Sequence, residues 1–108
     1  MKYYKLNMRW YKSLQRDNDI FADGETDKAY RFLTRFENFL IKCIWIPKSI
    51  CIVSDVNTGK KEFDNGVAMN EIHDVTIYIP CWFFNRNRIN IGTIVSENGF
   101  SSCEIVEK

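Results

Sequence analysis

Residues 4–10 alternate cleanly. Tyr4, Leu6, Met8 and Trp10 fall on one face and Lys5, Asn7 and Arg9 on the other. Period two with aromatic content predicts a half-buried strand. Residues 13–25 then turn polar, with Arg16-Asp17-Asn18-Asp19 and Asp23-Gly24, which predicts a loop with Ile20-Phe21 tucked inward. Residues 27–42 admit two readings. Ala29, Phe32, Leu33, Phe36, Phe39 and Leu40 sit at helical spacing, with Thr26 placed to cap the start. The same stretch also reads as a strand over 29–36, a turn at Glu37-Asn38 and a second strand into Trp45. The β-branched Ile41, Ile44 and Ile46 favour strands in its second half.

Pro47 ends that run, and residues 50–53 open another strand that closes at Asp55. Asn57-Thr58-Gly59-Lys60 is a turn signal. Asp64-Asn65-Gly66 is a second, its Asn-Gly suited to the positive φ angles of a tight hairpin. Residues 75–79 alternate as a strand, Pro80 stops them, and residues 81–85 are predicted as a short helical turn. A further strand is expected over 89–95, a turn at Glu97-Asn98-Gly99, and a last edge strand over 103–106. Turns arriving about every ten residues predict a mainly β domain, a small curved sheet or barrel with one short helix after Pro80; an α+β arrangement is the alternative. At 108 residues the chain suits one domain spanning 1–108, because two would each be too small to bury a core unaided.

Composition narrows the function classes. Fifteen basic residues face fourteen acidic ones, for a net charge of +1, which disfavours both a basic nucleic-acid coat and an acidic DNA mimic. Basic residues concentrate in residues 1–20 and 31–50, and folding that gathered these blocks on one face would make a basic surface. The start, Met1-Lys2-Tyr3-Tyr4-Lys5, has no apolar export stretch, and the greasy run over 40–47 is broken by Lys42 and far shorter than the roughly 20 residues of a membrane span. A cytoplasmic location and no membrane partner are expected. Cys43, Cys51, Cys81 and Cys103 lack paired spacing, and His73 is the only histidine, so buried free thiols are expected rather than a zinc site.

Two motifs stand out in order: Ile44-Trp45-Ile46-Pro47-Lys48-Ser49, and about thirty residues later Ile77-Tyr78-Ile79-Pro80-Cys81-Trp82-Phe83. With Glu25-Thr26-Asp27-Lys28-Ala29 upstream, residues 24–90 resemble small phage and prophage proteins of unknown function. The pattern departs at Ile50-Cys51, where that family carries Gln, and at Phe83-Phe84, where it carries a Leu-Ala helix start. The resemblance implies a strand in the first half of 27–42 and a phage setting within a host cell; it implies no activity. In each motif a strand meets a proline that removes a ladder donor, and Trp45 and Trp82 near these breaks are expected to plug the small core.

Candidate chemistry is sparse. His73-Asp74 with a thiol such as Cys81 lacks an oxyanion-type Gly motif. Asp55, Asp64, Glu71 and Asp74 would need to cluster to hold a catalytic metal. Asn57-Thr58-Gly59-Lys60 lacks phosphate-loop spacing, and Lys48-Ser49 offers at most an ammonium and a hydroxyl to a phosphate. No enzyme, cofactor or metal is expected. The raw material for binding is better: Tyr3, Arg9, Tyr11, Lys48, Arg86 and Arg88 are the candidate contact residues. The expected function is that of a non-enzymatic phage-type accessory protein that binds a host protein, such as an anti-CRISPR-like inhibitor of a host defence nuclease. The alternative is a small β-barrel that binds nucleic acid.

Overall fold

The computed structural model describes residues 1–16, 20–35 and 40–108. In chain order these form β1 (Lys2–Ser13), β2 (Gly24–Glu25), β3 (Ala29–Arg35), β4 (Ile41–Pro47), a 3-10 turn (Lys48–Ile50), β5 (Ile52–Asp64), β6 (Val67–Pro80), α1 (Cys81–Asn87), α2 (Ile91–Asn98) and β7 (Ser102–Glu107). The protein is mainly β, with two antiparallel sheets ordered β5-β6-β1-β7 and β2-β3-β4. Neither sheet closes into a barrel.

Alternation in β1 does what its pattern predicts. Leu6 is fully buried, and Tyr4 and Met8 pack beside it against the core. Opposite Leu6 lies Ile77 of β6, and Tyr4 faces Ile79. The smaller sheet contributes Phe32 and Ile46, α1 contributes Phe83 and Phe84, α2 contributes Ile94, and Phe100 completes the cluster. The core therefore sits between the inner faces of the two sheets and is filled by phenylalanines and isoleucines in equal share, with Leu6.

The structure corrects several expectations. Of the two readings of 27–42, the described residues take the strand one, over Ala29–Arg35 and from Ile41 on: Thr26 Oγ1 accepts from the backbone N–H groups of Lys28 and Ala29, starting a turn into β3. The turn at Glu37-Asn38 lies outside the described residues, as do Asp17, Asn18 and Asp19. Asn57–Lys60 is not a chain reversal. It is a bulge inside β5, where the register against β6 shifts between Asn57 and Lys61 and Gly59 takes φ +78°. The reversal comes at Asn65-Gly66, both at positive φ, as the hairpin signal predicts.

Residues 89–95 are not a strand. Asn90 accepts from Gly92 N–H at 2.8 Å and starts α2, whose Ile91, Ile94 and Val95 stand at helical spacing. Gly99, at φ +73°, is the helix C-cap, so the turn signal there marks a helix end. The tryptophans are not plugs either: Trp45 is 47% exposed and Trp82 38% exposed. Nor are the thiols uniformly buried, since Cys43 and Cys103 are exposed and Cys51 and Cys81 half-buried.

Candidate binding surfaces

The strongest catalytic arrangement involves His73. It lies on the inner face of β6 and is 7% exposed. Its Nδ1 stands 2.5 Å from Asp55 Oδ1, and its Nε2 is 4.0 Å from Glu71 Oε2. The Trp10 ring meets the imidazole edge-on at 5.4 Å. Nε2 is buried and has no hydrogen-bond partner among the described residues. A general base must reach the proton it takes, and this nitrogen is sealed between strands. Asp74 points to the opposite face of β6, and Asp64 ends β5 beside Val67, so the four carboxylates of the sequence reading do not converge. Among the described residues no group of three His, Cys, Asp or Glu side chains is placed to hold a metal.

The candidate contact residues divide between separate places. Tyr3, Arg9 and Tyr11 share the face of β1 turned away from the core, on β1 positions of one parity. Tyr78, Ile52 and Val56 join them from β6 and β5. A cleft of about 570 Å³ opens on this face, with Asn7, Arg9, Asp74, Thr76 and Ser101 in its walls. Thr76 donates to Asn7 Oδ1 at 2.7 Å across its floor. Charge on this face is balanced in cross-strand pairs: Lys5 lies 3.5 Å from Glu104 and Arg9 3.9 Å from Asp74.

Lys48 is elsewhere, after β4. Its ammonium is 2.5 Å from Glu25 Oε2 and 4.8 Å from the centre of the Tyr30 ring. The hydrogen bond that Lys48 donates to Glu25 raises the Lys48 pKa, and burial raises that of Tyr30. This ammonium is held inside the protein's own cluster rather than presented to a phosphate. Arg86 stacks on Trp82 at 5.1 Å along α1, and Arg88 caps α1 in the left-handed region at φ 53°. The candidate basic residues Arg9, Lys48, Arg86 and Arg88 thus lie at separate places in the fold.

Sequence reading missed the outer face of the smaller sheet. There Arg31 pairs across from Trp45, with its guanidinium 5.7 Å from the ring, and Leu33 pairs across from Cys43. Arg31 is held by Asp23 at 2.6 Å and Arg35 by Glu97 at 2.9 Å. The signal was the apolar run through β4, interrupted only by Lys42, which places Ile41, Cys43 and Trp45 on one face and Ile44 and Ile46 on the other. No helix among the described residues is long and apolar enough to cross a membrane. No family model matches the chain, and neither the curated proteins nor the solved structures gave a match.

Proposed function

We propose that the protein acts by binding another protein through the uncovered face of the four-stranded sheet, without a catalytic step of its own. The observation that carries this reading is the pairing of charge on that face. Lys5 with Glu104 and Arg9 with Asp74 leave no continuous basic track for a phosphate backbone, while Tyr3, Tyr11 and Tyr78 supply rigid amphipathic contact area. Tyrosine and arginine are the side chains that most often dominate protein interfaces. The resemblance to small phage proteins supports a finer reading: the partner is a host protein in the cytoplasm, and blocking a defence nuclease, as an anti-CRISPR does, is the role.

The test is binding of a purified host defence nuclease complex in high salt, by the natural chain and by a variant carrying Arg9→Ala and Tyr11→Ala. Both residues are exposed, so the variant is expected to fold and to lose the complex. If duplex or single-stranded DNA binds instead, with affinity falling steeply as salt rises, the nucleic-acid reading replaces this one.

A further inference from the structure

Sheet edges are templates for another strand, and proteins usually blunt them. Three of the edges here are blunted. The side of β3 beyond β2 is closed by Asn98, whose carboxamide bonds both Leu33 N–H and Leu33 C=O. The β5 edge carries the Gly59 bulge with Lys60 and Lys61, and β7 carries Glu104 and Glu107. The fourth edge, β4, has no bulge, no proline before Pro47 and one charge, Lys42. Among the described residues no strand pairs with its far side.

The register shows which groups that edge offers. Lys48 N–H donates to Lys28 C=O, so the even-numbered residues of β4 turn their backbone groups to β3. Ile41, Cys43 and Trp45 turn theirs outward. Their side chains also share the outer face, where Ile41 is 51% exposed. Among the described residues these outward N–H and C=O groups meet no strand, and an apolar edge of this kind is open to pairing with another.

We infer that β4 is completed by β4 of a second copy, antiparallel about a two-fold axis at Cys43. In that register Ile41 faces Trp45 of the second copy, Cys43 faces Cys43, and every outward N–H and C=O of the three residues finds a partner. The strand is its own complement, as a two-fold interface requires. Charge favours a like copy over a charged stranger. Arg31 and Arg35 on this face already hold Asp23 and Glu97, and the chain's net charge is +1, so two copies meet without strong repulsion. The dimer joins the two small sheets into one and leaves the face with Tyr3, Arg9 and Tyr11 free on each copy. It stands independently of the function proposed above.

Sedimentation of the natural chain over a range of concentrations tests this, together with Ile41→Lys and Cys43→Pro. The lysine sets a charge against Trp45 of the second copy, and the proline removes an outward N–H that β3 does not use. A concentration-dependent dimer is expected, with association weakened by about tenfold or more in Ile41→Lys, while circular dichroism stays unchanged. Diamide, which takes up the two electrons and two protons as two thiols join, is expected to link the dimer through Cys43 to Cys43. Facing Cα atoms of a hydrogen-bonded pair stand about 5.5 Å apart, within the Cα span of a disulfide, and a small shift of the two edge strands brings the Cβ atoms into reach. A chain that stays monomeric at the highest soluble concentration overturns the inference. So does a dimer that survives both substitutions, or one linked through Cys103.

Discussion

The side-chain amide of Asn98 bonds the backbone of Leu33 twice: Oδ1 accepts from Leu33 N–H at 2.9 Å, and Nδ2 donates to Leu33 C=O at 2.8 Å. The carboxamide thus takes the place of a neighbouring strand where β2 has ended. The same nitrogen donates to Ile94 C=O at 2.7 Å, tying the last turn of α2 to the sheet. Thr34 with Thr93 at 2.7 Å and Arg35 with Glu97 at 2.9 Å extend the seam. Replacing Asn98 with alanine strands two part-buried backbone groups, and the expected loss is about 2–3 kcal/mol in urea unfolding. Asn98→Asp keeps an acceptor for Leu33 N–H but loses the donor to its carbonyl, so it is expected to be destabilised as well. A variant as stable as the natural chain would show that α2 is not held by this seam.

The division of labour among aromatic residues gives a second prediction. Phe32 is fully buried and central to the core, whereas Trp45 stands half in solvent. Phe32→Ala is expected to cost about 3–5 kcal/mol, the range for removing a buried ring. Trp45→Ala is expected to cost under about 1 kcal/mol, because an exposed side chain leaves no cavity. Paired denaturation curves compare them directly. If the tryptophan substitution is the more damaging, then Trp45 is a core residue in solution.

Much of the fold was legible because it is local. Alternation marked β1, Asn65-Gly66 marked the hairpin, and Pro80 marked the switch from β6 to α1. The failures share a cause: signals that serve two structures. Ile89 to Val95 is rich in β-branched residues, and only the cap by Asn90 and the left-handed Gly99 distinguish a helix from a strand. Gly59 reads as a turn, but a positive φ serves a bulge equally well. Trp45 was expected inside as a large ring beside the proline break, yet period two puts Ile46 inside and Trp45 out. For the binding residues, sequence placed Tyr3, Arg9 and Tyr11 on one face through parity. It had no means to show that Lys48 meets Glu25, a contact set by where β2 and β4 end on either side of β3.

Arg88 offers a gain rather than a loss. It closes α1 at φ 53° and ψ 44°, a conformation that side chains with a Cβ adopt at some cost. Glycine relieves that strain and gives back part of the benefit through greater freedom in the unfolded chain. Arg88→Gly is therefore expected to stabilise by roughly 0.5–1 kcal/mol, read as a higher midpoint of thermal unfolding. Binding of the protein partner measured on the same variant separates the roles of the residue. Unchanged affinity with raised stability leaves Arg88 as a helix terminator alone, and a drop in affinity assigns it a contact.

The thiols and tyrosines set the alkaline limit of the fold. Burial pushes the Cys51 pKa up to about 12, and burial also raises Tyr4 and Tyr30. Each of these groups holds its proton more tightly when folded. Their contribution to stability is complete below the unfolded-state values, 9.0 for the thiol and 10.0 for the phenols, and is lost as pH climbs through the folded values. Urea midpoints are thus expected to fall progressively above pH 9, and more gently in Cys51→Ala, which has no thiol there to ionise. Alkylation follows the same order. Cys43 is exposed, with one long contact of 3.9 Å to Asp23, and is expected to react first with iodoacetamide. Cys51, half-buried and donating to Pro47 C=O at 3.5 Å, is expected to react last, as the chain unfolds. Peptide mapping after timed alkylation reads the order, and early modification of Cys51 in the native protein would mean that the packing around it opens far more readily than this fold allows.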